Sequence, residues 1–93
     1  MKIVFLKSFL KDIKKIKDPK TARKIKELIL KLKIADSLEE LKSVKKMKGY
    51  SIAFRIKLGN YRMGIYKESG HIELARFLKR EDIYQVFPNS KDS

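Results

Sequence analysis

The sequence predicts an α+β fold: an N-terminal strand, a two-helix antiparallel hairpin packed on a mostly antiparallel four-stranded sheet, and a short C-terminal helix. Three observations predict it. Apolar residues at helical spacing are concentrated between residues 9 and 32. From residue 50 the apolar period changes to two. Two turn signals, Gly59-Asn60 and Ser69-Gly70, then cut the second half into strands of hairpin length. Helices and antiparallel strands segregated in this order pack as a helical layer on one face of a sheet. Ninety-three residues make one domain, 1–93, with a modest core.

Each element has a local cause. Residues 2–6 (KIVFL) read as a first strand. Ser8 is placed to cap a helix over residues 9–17, whose apolar stripe is Phe9, Leu10, Ile13 and Ile16. Asp18-Pro19 starts a second helix, with the aspartate as N-cap and proline at the first helical position. Ala22, Ile25, Leu28, Ile29 and Leu32 give that helix its buried face, and the short connection makes the two helices antiparallel neighbours. Residues 35–48 read as a loop with one helical turn capped by Ser37.

In the next run Tyr50, Ile52, Phe54, Ile56 and Leu58 point one way, and Ser51, Ala53, Arg55 and Lys57 the other. Residues 61–67 and 71–78 are the following strands. The last has an ambiguous facing, because Arg76 shares a parity with Ile72, Leu74 and Leu78. A helix over residues 80–87 ends at Pro88, and residues 89–93 read as a frayed tail.

The net charge is +13, from 24 Lys+Arg against 11 Asp+Glu. Such an excess attracts phosphate at long range and is the footprint of a nucleic-acid partner, though an acidic protein or an anionic membrane surface would be attracted too. With 43% hydrophobic residues the chain is not a disordered basic tail. Cysteine is absent, which excludes disulfides and thiolate metal sites. One histidine and a few sequence-adjacent acids (Glu39-Glu40, Glu81-Asp82) make a poor ligand set, so no metal and no cofactor is expected. The first apolar run is stopped by Lys7, too early for a signal peptide, and no run approaches a membrane span. A cytoplasmic protein without a membrane partner is expected.

The densest chemical signal is residues 55–62, Arg-Ile-Lys-Leu-Gly-Asn-Tyr-Arg. With Gly59-Asn60 as a two-residue loop, Leu58 faces Tyr61 and Lys57 faces Arg62. Arg55 shares the face of Lys57. Like charges placed opposite each other destabilise a sheet, so the cluster implies an anionic partner, with phosphate the obvious one. The competing reading is a solvated strand face. The lysines at 11, 14, 15, 17, 20, 24 and 26 read as solvated helix faces, and His71 as an exposed strand residue after a turn. Lys42, Lys45, Lys46 and Lys48 crowd the approach to Gly49.

The ordered set Lys48-Gly49-Tyr50, Phe54-Arg55-Ile56-Lys57, Gly59-Asn60-Tyr61-Arg62 and Lys79-Arg80-Glu81-Asp82-Ile83-Tyr84 resembles the RelE/ParE toxin superfamily, on its RelE-like branch, over essentially the whole chain. The resemblance implies the toxin of a type II toxin–antitoxin system. RelE-like members cleave mRNA in the ribosomal A site, and ParE-like members of the same fold poison DNA gyrase. It also implies a cognate antitoxin that wraps the toxin and buries its basic surface in a hetero-oligomer.

Metal-free RNA cleavage requires deprotonation of a 2′-OH, charge stabilisation at the attacked phosphate and protonation of the leaving 5′-oxygen. Under the resemblance Lys57 is the candidate general base or electrostatic anchor. Arg62 holds the transition-state phosphate through its planar fork. Arg80 contacts the same phosphate or the leaving oxygen, and Tyr84, one helical turn on, stacks on or orients the base. Arg55, Lys79, Lys45, Lys46 and Lys48 are the candidate RNA-binding residues. Many relatives have histidine where this chain has Lys79, which leaves the general acid open. The ribosome-dependent mRNA endonuclease, the gyrase inhibitor and an inactive basic RNA-binding relative are the three functions in competition.

Overall fold

A computed structural model describes residues 1–88; the tail expected over residues 89–93 lies outside them. The chain runs β1 (Lys2–Phe5), α1 (Lys7–Lys14), α2 (Pro19–Ile34), a 3-10 turn (Leu38–Glu40), β2 (Val44–Lys46), β3 (Ala53–Leu58), β4 (Tyr61–Glu68), β5 (His71–Lys79) and α3 (Arg80–Ile83). The sheet has five strands in the order β1-β5-β4-β3-β2. Among the described residues only β1 pairs parallel, with β5. The expected four-stranded sheet thus gains an edge strand, β2, inside the stretch read as a loop. Three residues, Val-Lys-Lys, carry too little alternation to announce a strand; pairing with β3 makes it one.

Asp18 caps α2, its carboxylate accepting from the amides of Lys20 and Thr21 and from the Thr21 hydroxyl. The Thr21 hydroxyl is the main cause that holds this carboxyl below its ordinary range. Ser37 and Glu40 form a capping box around the 3-10 turn. Helices α1 and α2 cover one sheet face. Phe9, Ile25, Leu28, Leu32 and Leu38 pack there against Ile56, Met63, Ile65, Ile72, Leu74 and Phe77. Full burial of a side chain such as Phe9 or Leu32 contributes about 1.5–3 kcal/mol each. Ala22 and Leu10 are exposed instead, at the margin of their stripes.

Ser8 does not cap α1, which starts at Lys7 without a side-chain cap. Its hydroxyl instead donates to the carbonyl of Ala75 (2.6 Å). That contact explains the ambiguous last strand. The β4–β5 register slips between Gly64 and Ile65, so that Gly64 pairs with Arg76 and Ile65 with Leu74, leaving Ala75 as the extra residue of a bulge. The bulge resets the alternation. Leu74 and Phe77 both reach the helical face, and Arg76 leaves it. Asp12, one turn beyond Ser8 and buried, accepts from the Phe77 amide (2.9 Å) and from the Arg76 guanidinium (2.8 and 3.2 Å). Two α1 side chains thereby satisfy the backbone groups that the bulge frees.

The other face carries a smaller cluster of Ala53, Tyr66, Ala75, Ile83 and Phe87. Tyr50 and Ile52 pack against it rather than joining Ile56, because residues 47–51 form a turn and the strand begins only at Ala53. α3 ends at Ile83 and continues as tight turns to Phe87, so it is shorter than the helix expected over residues 80–87. Phe87 lies on Gly64, where a Cβ would come within 2.8 Å of the ring. The C-terminal segment therefore lies over β4 and β5 on this face, and leaves Lys45 on β2 and Lys57 on β3 exposed.

Candidate active site

The open half of the sheet carries the cations. In the β3–β4 hairpin Leu58 pairs with Tyr61, Lys57 with Arg62 and Arg55 with Gly64. On the neighbouring strand Lys45 pairs with Arg55. Alternation sets Lys45, Arg55, Lys57 and Arg62 on one face, opposite to Ile56 and the helices. Directly paired residues stand about 4.5–5.5 Å apart at Cβ, and residues two apart along a strand about 6.6 Å. Two like-charged cross-strand pairs share this small area. Each is unfavourable by up to about 1 kcal/mol when no anion is present.

Arg62 differs from its neighbours. Lys45 and Lys57 are exposed, whereas Arg62 is 8% exposed. Its NH1 donates to the carbonyls of Gly59 and Tyr61, both at 2.9 Å. Its buried Nε has no acceptor among the described residues. The head group is thus folded against the hairpin turn with a donor to spare, which a solvated strand face does not do. The turn itself needs Gly59, whose φ of 60° is the positive value that the first central position of a type II′ hairpin demands.

Arg80 comes to the same turn by its backbone, since its amide donates to the Asn60 carbonyl (2.9 Å). Its side chain is exposed. Together with Glu81 and Tyr84 it lines a shallow open depression, with Tyr84 half exposed. Lys79 pairs with Tyr61, whose ring stacks on Phe77 in the helical-side core (4.9 Å). By register Lys79 lies on the face away from Arg62. Lys46 pairs with Phe54 and borders a depression with Leu38, Leu41 and Val44, again on the helical side. Lys48 sits in the turn at Gly49. Lys46 and Lys48 therefore stand apart from the cluster. Both Lys45 and Lys46 also charge an edge strand, which blunts edge-to-edge pairing.

His71 is half-buried beside Glu73 (3.3 Å), at the opposite end of β4 from Arg62. Among the described residues no group of three or more His, Cys, Asp or Glu side chains is placed to hold a metal ion. No helix among them is long and apolar enough to cross a membrane. Sequence reasoning missed the turn carbonyls as the support of Arg62. The spacing of Gly59 and Arg62 across one tight turn was the available signal.

A helical layer on a mixed five-stranded sheet is the architecture this chain shares with toxins of the RelE fold. The chain is 43% identical over 90 residues, 95% of its length and all of the relative's, to Toxin RelE3 of Methanocaldococcus jannaschii. It belongs to the RelE toxin family. The toxin–antitoxin complex RelB–RelE from Methanococcus jannaschii superposes with a TM-score of 0.78 at 38% identity, over 91% of this chain and 99% of that one. The YoeB dimer from Staphylococcus aureus shares the fold at 23% identity, with a TM-score of 0.68 over 85% of this chain and 94% of that one. The RelBE2 toxin–antitoxin complex from Mycobacterium tuberculosis does so at 19% identity, with a TM-score of 0.59 over 85% and 96%. No protein-family profile matches the chain.

Proposed function

We propose that this chain, acting as one domain in the cytoplasm, is the toxin of a type II toxin–antitoxin system and cleaves mRNA in the ribosomal A site. The observation that carries the nuclease reading is Arg62. A guanidinium whose NH1 is drawn against its own turn by two carbonyls, with a lysine directly across the ladder, is fixed in place to meet an incoming phosphate oxygen through its remaining terminal N–H groups. In this reading Lys57 accepts the 2′-OH proton, or anchors the phosphate. The 2′-oxygen bonds to the adjacent phosphorus, and the bond to the 5′-oxygen breaks. The products are a 2′,3′-cyclic phosphate and a 5′-hydroxyl once the leaving oxygen is protonated. Arg62 neutralises the charge that develops on the phosphate. Arg80, at the same turn, reaches the phosphate or the leaving oxygen, and Tyr84 on its helical flank stacks on the base. Arg55 and Lys45 steer the backbone. Lys79 is the remaining candidate for the proton donor, and its place on the other side of the ladder favours Arg80 for contact with the leaving group.

The partner is a cognate antitoxin, as in the RelB–RelE complex that this chain resembles. An antitoxin that covers the open cationic half-face would remove the like-charge repulsion there and block the site together.

The test is cleavage of a defined mRNA on programmed ribosomes by wild type, Lys57→Ala and Arg62→Ala side by side. Site-specific cleavage that falls about a hundredfold or more in each variant is expected. A loss below about tenfold for Lys57→Ala removes it as the base. Intact mRNA with a wild type that still arrests growth overturns the nuclease reading and points to gyrase.

A further inference from the structure

We infer that the Gly59-Asn60 turn is a positioning element of the reaction, which registers both arginines of the site through three consecutive backbone carbonyls. The inference rests on the proposed nuclease function and goes beyond it. The carbonyls of Gly59 and Tyr61 hold the Arg62 head group, and the carbonyl between them, of Asn60, holds the amide of Arg80. A turn that merely reverses a chain leaves its outward carbonyls to water. Here all three are used, and each use places a residue of the cationic site. Neither Gly59 nor Asn60 needs to touch substrate.

The conformation of this turn is a choice between two. Gly59 has a positive φ of 60°, and no residue other than glycine among those described has one, so Asn60 does not. That is the type II′ pattern. The Asn-Gly sequence favours type I′, which is equally suited to a two-residue hairpin. The two types differ mainly by turning over the central peptide, the one that carries the Gly59 carbonyl. Exchange of the two residues therefore preserves the hairpin and its register while aiming this carbonyl away from Arg62. A Cβ at position 59 meets nothing within 4 Å, so the exchange clashes with no neighbour, and asparagine is the side chain that bears the positive φ there at least cost. The Asn60 carbonyl lies outside the central peptide, and the tether to Arg80 is kept.

The experiment compares wild type, G59N/N60G, Arg62→Ala and the triple variant in single-turnover cleavage on programmed ribosomes, with thermal melting alongside. The expected result is an unchanged melting temperature and a loss of about tenfold or more in the cleavage rate constant for G59N/N60G, with half-saturating ribosome concentration little altered. In the Arg62→Ala background the exchange costs nothing further, because the turn acts through Arg62. Cleavage by G59N/N60G at the wild-type rate overturns the inference and leaves the nuclease reading standing. Losses that multiply in the triple variant, whether from partial unfolding or another route, also overturn it. A wild type that cuts no mRNA overturns the nuclease reading, and the inference with it.

Discussion

At the scale of single residues, the difference between Arg62 and its neighbours decides what each does. Lys57 is an exposed point charge on a flexible stem, free to approach a 2′-OH. Arg62 has lost that freedom, since one of its nitrogens bridges two carbonyls and another is buried. Its rotamer entropy is spent on folding rather than on binding, which is preorganisation. A lysine at 62 would keep the charge but lose the fork, and could not hold the turn and offer a second fixed donor together. Arg62→Lys is therefore expected to cleave about a hundredfold slower than wild type, close to Arg62→Ala, in single-turnover assays on ribosomes. Recovery of wild-type cleavage by lysine would show that charge alone suffices.

Among the elements, α1 and β5 depend on each other. The bulge at Ala75 is what allows Leu74 and Phe77 to share the helical core while Arg76 turns out of it. It persists because Ser8 and Asp12, four residues apart on α1, take up the freed carbonyl and amide. Asp12→Ala strands a partly buried guanidinium and a buried amide, and is expected to cost about 3–5 kcal/mol, read from urea unfolding. A loss under about 1 kcal/mol would mean that the bulge stands without its α1 support. The start of α2 gives a pH signature instead. The Asp18 carboxyl is held below the usual carboxylate range, chiefly by the Thr21 hydroxyl. A lowered folded value means that the cap contributes fully above the unfolded value and is lost as pH falls through the folded one. Wild type is thus expected to melt above Asp18→Ala at neutral pH, with the gap closing below about pH 4. A gap that stays constant into acid would show that the charged form is not what caps the helix.

For the whole molecule, charge and site are separated. Residues 1–48 carry a net +10 and residues 49–93 a net +3, so the helical half supplies most of the long-range field and the hairpin supplies the placed cations. A field of that size speeds encounter with an RNA surface and makes it salt-dependent. Ribosome association should weaken linearly in a plot of log affinity against log salt. Lys45→Ala, which removes one cation from the open half-face, is expected to lower the slope by about 1. A slope identical to wild type would place Lys45 outside the contact and leave it as an edge-strand guard.

The order of elements, the start of α2 and the pairing of Lys57 with Arg62 were legible in the sequence, and all three have local causes. Asp18-Pro19 specifies a helix start through its own side chain and ring, and a two-residue loop at Gly59-Asn60 admits only one register for the hairpin it closes. What the sequence could not decide depended on partners far along the chain. β2 is a strand because β3 lies beside it. Ser8 looks like a helix cap until β5 is folded against it, and Asp12 gains its partners only there, more than 60 residues away. Arg62 looks like one more exposed strand cation, and only the three-dimensional turn closes its carbonyls around it. Local propensity and alternation are properties of neighbours in sequence. Burial, bulges and the satisfaction of buried polar groups are properties of neighbours in space, and the tertiary structure alone determines which those are.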